Sequence, residues 1–264
     1  MNRAAEVLKN SRKIVLKIGS NVLAGSDGVL DKAAAEGIVR QVLALMRDGK
    51  QVIVVSSGAG VSGAGAIGRQ SRRGDINYKQ ALCAVGQVEL MMEYKKHFAV
   101  GGVAVGQLLL TAENFADEQS ALNIRNTLFT LLDEGVAPII NENDSVSIWE
   151  FSFGDNDHLA ALTANLWNAD LLIIMSDVDG VFDRSPKENE GAGLIAEVSD
   201  IDALAARIDT AGTSSFGTGG MDSKLAAART VGTYGIPLLL VNGRRADVLA
   251  DVAAGGPSTV FLAE

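Results

Sequence analysis

The sequence holds 264 residues, 47% of them hydrophobic and only 5% aromatic, with a formal net charge of −9 at pH 7. That length and apolar content can fill one sizeable core and exclude wholesale disorder. The acidic balance excludes electrostatic attraction to nucleic acid or an anionic membrane, so an anionic ligand would need a few well-placed cations and backbone N–H groups.

Cys83 is the single cysteine, which excludes an intrachain disulfide and fits the cytosolic pattern of one buried thiol. The opening MNRAAEVLKNSRK has no apolar h-region and does not read as a signal peptide. No apolar run approaches the roughly 20 residues of a membrane helix. A cytoplasmic protein is expected, in which the Asn143-Asp144-Ser145 sequon is inert.

Along the chain, Lys13–Ile18 (KIVLKI) is a short apolar run ending at Gly19, and 51–55 (QVIVV) runs into Ser56-Ser57-Gly58. Similar runs occupy 102–105 with 108–110, then 137–140, 171–175 and 237–241. Their length and Val, Ile and Leu content predict strands buried on both faces. Helical spacing lies between them: 32–48 carries Ile38, Val42, Leu45 and Met46, and 78–97 carries Leu82, Val85, Leu90 and Met91. Segments 121–134, 158–168 and 221–234 read likewise. The alternation predicts an α/β protein, a three-layer αβα sandwich with a mainly parallel central sheet and right-handed crossovers. Residues 183–193 form the most polar stretch and predict an exposed hairpin or loop.

Ligands in such sheets sit beyond the carboxyl ends of the strands, and the distinctive motifs fall there. Lys17 lies inside the first apolar run, where a lysine is costly unless paired; an edge-strand lysine reaching out to water is the alternative. Gly58, Gly60 and Gly63 fit a dinucleotide fingerprint, but the polar 69–75 that follows cannot end a second strand on an acidic residue. The loop is therefore read as holding a small ligand through Ser57 and backbone N–H groups. Residues 141–145 (NENDS) can accept from an ammonium and donate to a carboxylate, or simply form an Asx-rich turn.

In Gly154-Asp155-Asn156-Asp157-His158, Asp155 or Asn156 can cap a helix, leaving Asp157 to pair with lysines. Residues 176–180 (SDVDG) follow another strand and lack the glutamate of a calcium loop. Residues 217–224 (GTGGMDSK) form a glycine-rich loop opening a helix, with Lys224 in a first turn that disfavours cations unless phosphate is the guest. A plain flexible loop is the alternative. His97 reads as a surface residue near a helix end, and His158 as capping or packing; neither has zinc-site spacing. The Arg69, Arg72 and Arg73 cluster reads as a solvated loop.

The order of these motifs, with lysine after the first strand, SSG after the second, then NEND, GDND, SDVDG and GTGGM-x-x-K, resembles the amino acid kinase family across nearly the whole chain. KQALCAVGQ (79–87) and FGDND (153–157) look like its members that phosphorylate the γ-carboxylate of L-glutamate in proline synthesis. The resemblance implies that Lys17 and Lys224 neutralise the transferring phosphoryl group and that Asp157 holds both. It implies Ser57, Asp144 and Asn156 for glutamate. For ATP it implies Lys17, Ser176, Asp177, Thr218, Gly219, Gly220, Met221, Asp222, Ser223 and Lys224, with magnesium carried by the phosphates and no all-protein metal cage. It further implies proline as a feedback inhibitor, a homo-oligomer, and one amino acid kinase domain over 1–264, the short form without the RNA-binding-like PUA domain. Gly60, Ser62 and Ser223 depart from the family's usual pattern. A kinase for N-acetylglutamate, aspartate or UMP, or a non-catalytic sensor, is the alternative on the same fold.

Overall fold

The computed structural model describes residues 2–67, 75–147, 156–184, 191–207 and 220–263. Helix α1 (Arg3–Asn10) leads into strand β1 (Lys13–Ile18). A single turn, α2 (Ser20–Leu23), and the long α3 (Lys32–Arg47) return the chain to β2 (Gln51–Ser56). Helices α4 (Ala59–Ile67) and α5 (Ile76–Val100) precede β3 (Val105–Leu110), and α6 (Ala112–Ala116) and α7 (Glu118–Asp133) precede β4 (Ala137–Glu142). Next come α8 (Asn156–Trp167), β5 (Leu171–Ser176) and the short β6 (Val181–Phe182), β7 (Leu194–Ile195) and β8 (Glu197–Val198). Helix α9 (Ile201–Ala205), α10 (Met221–Gly232), β9 (Leu238–Asn242), α11 (Val248–Ala253) and β10 (Thr259–Phe261) complete it.

The eight-stranded sheet runs β3-β4-β2-β1-β5-β9-β10-β8. Every neighbouring pair is parallel except β9 with β10. The expected layered α/β architecture is therefore present. Its core is split by the two-residue period of the strands. Ile14, Leu16, Ile18, Val52, Val54, Ile139 and Ile173 meet α3 and α5 on one face. Val15, Ile53, Val55, Ile140, Leu172 and Ile174 meet α7, α8 and α10 on the other. Aspartates set several helix starts: Asp31 accepts from the Ala33 and Ala34 amides, and Asp117 from Ser120.

Strand β1 is the switch point. It pairs with β2 on one side and β5 on the other, so the connections leave it in opposite directions and open a crevice at its carboxyl end. Lys17 is thus on a central strand; the edge-strand alternative does not apply.

The N-terminal segment forms α1, whose buried residues include Leu8. Two expectations are corrected. The run 102–110 is one strand beginning at Val105. The glycine-rich segment after Ser57 is not a loop beyond Gly58: Ala59–Ile67 is helix α4. Only Gly58 needs its special backbone, at φ 107°. Gly63 serves helix packing instead. A Cβ there would overlap the Leu82 carbonyl oxygen, and one at Gly86 would overlap that of Ala59. The two helices touch backbone to backbone at these glycines. Strands β6 and β7 pair antiparallel, as the polar 183–193 segment predicts for a hairpin. Among the described residues no helix is long and apolar enough to cross a membrane.

Candidate active site

Lys17 shares the face of Val15, so its side chain rises into the layer beneath α8 and α10. It is 1% exposed. Its Nζ meets Asp157 Oδ1 at 2.8 Å. Asp157 stands in the first turn of α8, wholly buried, and its other oxygen receives Lys224 Nζ at 3.3 Å and Ser223 Oγ at 2.8 Å. Lys224 is 4% exposed, in the second half of the first turn of α10, where its Nζ also lies 3.4 Å from the Gly220 carbonyl. Three ionisable groups from β1, α8 and α10 therefore converge at the carboxyl end of the central strand.

Burial alone would push the Asp157 carboxyl up; the charges of Lys17 and Lys224 outweigh it and hold the group well below the carboxylate range. It stays ionised between the two ammonium groups. Gly19 follows directly; a Cβ there would lie 3.2 Å from the Met175 carbonyl and 3.7 Å from Lys17 Nζ, so its bareness keeps the approach to the lysine open.

Beside this triad, Ser57 sits just beyond β2 and Asn156 opens α8. Asn156 Nδ2 donates to Ser57 Oγ at 2.9 Å and to Asn141 Oδ1 at 2.8 Å, and its Oδ1 accepts from the Glu142 amide at 3.3 Å. Asp144 is buried two residues past β4. On the other flank, Ser176 ends β5, buried, and its hydroxyl lies 3.3 Å from Asp177 Oδ1. Asp177 is exposed and accepts from Asn21 Nδ2 at 2.8 Å. Gly220, Met221, Asp222 and Ser223 lead into α10 with Asp222 exposed. Thr218, Gly219, Asp155 and the Arg69, Arg72 and Arg73 cluster lie outside the described residues.

The structure thus brings Lys17, Asp157, Ser223 and Lys224 together, and joins Ser57 to Asn156. His158 is exposed and takes no part in the triad. The surface reading of His97 is corrected: it is buried in α5, its Nε2 3.3 Å from Glu93 Oε2.

Two contacts escaped the sequence reading. Ser56 points to the opposite face from Ser57, where its hydroxyl meets the Tyr94 hydroxyl at 2.6 Å; burial pushes that phenol far up. Asn141 donates to Gln87 Oε1 at 2.8 Å. Strand parity could have sent Ser56 and Asn141 toward α5, but which helical residue each meets depends on helix placement.

Two buried lysines locked on one carboxylate at the switch point of a parallel α/β sheet place the chain in a known class. The chain belongs to the amino acid kinase family, whose model matches residues 12–242. It is 51% identical over 260 residues to the glutamate 5-kinase of Alkaliphilus oremlandii, covering 98% of this chain and 99% of the relative. The glutamate 5-kinase of Alkaliphilus metalliredigens is 49% identical over 259 residues, with 98% of each chain covered. Among solved structures, the UMP kinase of Ureaplasma parvum superposes with a TM-score of 0.65 at 19% identity, covering 96% of this chain and 99% of that one. That likeness speaks to the fold alone.

Proposed function

We propose that this protein transfers the γ-phosphoryl group of ATP to the γ-carboxylate of L-glutamate, giving L-glutamyl 5-phosphate and ADP. The observation that carries the reading is the buried Lys17–Asp157–Lys224 triad at the end of β1, beside the Ser57–Asn156 pair. The glutamate 5-kinase relatives support the choice of substrate.

Phosphoryl transfer asks the protein for in-line positioning and neutralisation of charge on the moving group. Lys17 and Lys224 would face the phosphoryl oxygens, and Asp157 would fix the two ammonium groups between donor and acceptor. Ser57, Asp144 and Asn156 would hold glutamate. Lys17, Ser176, Asp177 and the 218–224 segment would hold ATP. A carboxylate oxygen attacks the γ-phosphorus while the bond to the bridging oxygen breaks. The attacking group is already ionised near neutral pH, so no side chain need take a proton.

The donor set suits magnesium carried on the nucleotide. Ammonium groups, not carboxylates, crowd the reaction point, and among the described residues no group of three or more His, Cys, Asp or Glu could cage an ion. Carried in with the nucleotide, magnesium would supply further charge neutralisation beside Lys17 and Lys224.

The test offers ATP, magnesium and hydroxylamine with L-glutamate, N-acetylglutamate or L-aspartate. Hydroxylamine converts an acyl phosphate into a coloured iron hydroxamate. Signal with glutamate alone, abolished by Lys224→Ala, supports the reading; signal only with another acid moves the substrate, and none with any acid removes carboxylate chemistry. Proline carries the same α-carboxylate and a cationic nitrogen, and should compete for this site; glutamate turnover unaffected by high proline removes that part. The exposed Val85, Val88 and Met92 on α5 support a homo-oligomer, which light scattering would measure. The expected workplace is the cytoplasm, where ATP is abundant.

A further inference from the structure

Gln87 lies on α5, behind the acceptor end of the site, and is 8% exposed. Its amide orientation is fixed by a neighbour that cannot reverse. The Glu142 N–H can only donate, and it donates to Asn141 Oδ1 at 2.9 Å. Asn141 must then turn its Nδ2 toward Gln87, whose Oε1 accepts at 2.8 Å. Gln87 Nε2 is left over, and among the described residues this buried donor has no acceptor. A buried amide donor without an acceptor is a standing cost to the fold, and native proteins keep such groups for a reason.

The surroundings say what acceptor it awaits. Asn141 Oδ1 also receives Asn156 Nδ2, which reaches Ser57 Oγ. Gln87 is therefore hydrogen-bonded, through Asn141, to the pair assigned above to the acceptor substrate. Parallel strands lie about 4.8 Å apart, so β4 stands roughly 10 Å from β1 across β2. Ser57 follows β2 and Asp144 follows β4, so a glutamate held by them with its γ-carboxylate at Lys17 would carry its α-carbon toward β2 and β4, the strands to which Asn141 joins Gln87. Of the two groups on that carbon, the ammonium can only donate. Only the α-carboxylate can accept from Nε2.

We infer that Gln87 Nε2–H donates to the α-carboxylate of the amino-acid substrate, and so makes the site discriminate for that carboxylate; the inference rests on the glutamate-kinase reading. The residue has two separable jobs. Its Oε1 steadies Asn141, and its Nε2 reads the ligand.

The hydroxamate assay separates them, using the whole chain at pH 8.5 with L-glutamate and with its α-amide, which lacks the carboxylate at Cα. Gln87→Met removes both jobs. Gln87→Glu keeps an acceptor for Asn141 but replaces the donor with an ionised oxygen. Both variants should raise the glutamate KM about tenfold or more, the scale of a charge-assisted hydrogen bond. Both should cut the preference for glutamate over its α-amide by a similar factor, with the ATP KM unchanged. If Gln87→Glu restores the wild-type KM and preference, Gln87 only steadies Asn141 and the inference falls. It falls equally if both variants keep the preference. Should Gln87→Met fail to fold, Gln87→Glu decides alone. Wild-type protein silent with glutamate would overturn the underlying reading instead, a result visible before any variant is made.

Discussion

Asp157→Asn is the most incisive perturbation of this structure. The side chain keeps its shape and loses its charge, so the effect isolates what the carboxylate does for Lys17 and Lys224. At 2.8 and 3.3 Å, and with an effective dielectric constant near 20, each contact is worth about 5–6 kcal/mol of gross attraction. Desolvating three buried charges cancels much of that, so the net worth of the intact cluster is small. Removing this carboxylate's charge is different, because both buried lysines lose a charged partner; such losses cost about 3–5 kcal/mol. Against a total stability of about 5–15 kcal/mol this is severe but survivable. Urea unfolding at pH 7 should show the midpoint drop, with slope unchanged. Acyl-phosphate formation should fall at least about a hundredfold, as expected when groups that neutralise developing charge lose their positioning. An unchanged midpoint together with turnover within threefold of wild type would refute the reasoning, since it would mean that the lysines do not depend on Asp157.

The same carboxylate sets an acid limit. Its folded-state pKa lies below its ordinary value of 3.8, so its stabilisation is present above that value and is lost as pH falls beneath it. Wild-type stability should decline below about pH 4–5, and Asp157→Asn should lack that part of the decline when unfolding midpoints are compared from pH 7 downward. Gly63→Ala or Gly86→Ala forces a methyl group into the backbone of the facing helix; each should cost about 1–3 kcal/mol or more, and a melting temperature within a degree of wild type would contradict the close packing. Tyr94→Phe strips the 2.6 Å partner from buried Ser56 and should cost about 1–2 kcal/mol by denaturant titration; no loss would mean that Ser56 is satisfied by the Ser57 carbonyl alone.

The strands were legible because burial on both faces writes nearly unbroken Val, Ile and Leu runs, as in Lys13–Ile18 and Leu171–Ser176. Lys17 stood out for the same reason, as a charge inside such a run, whereas Lys13 opens it at a half-buried end. That Asp157 pairs with lysines was read from the helix-opening motif, and that Lys17 is one of them came from family resemblance, for the 139 intervening residues carry no signal of that contact. Helix α4 was misread because glycine is a poor helix former by propensity. There tertiary contact overrides propensity, since only glycine lets α4 and α5 meet at the backbone. His97 was misjudged because a polar helix end looks exposed in one dimension, while α5 runs on to Val100 and folds that turn inward. Gln87 sat unnoticed inside a quoted motif, since a glutamine announces no chemistry until its amide is seen to lack a partner.

Ser56 and Ser57 are consecutive, yet one hydroxyl bonds Tyr94 behind the sheet while the other bonds Asn156 in front. Both stand at the carboxyl end of β2, so a shift of that backbone moves both hydroxyls. The repacking of α5 and the tuning of what Ser57 touches are thus not independent problems. A designer who wishes to change the acceptor preference of this enzyme by altering Ser57 should expect to find compensating changes beneath Tyr94, on the other face of the sheet from Ser57.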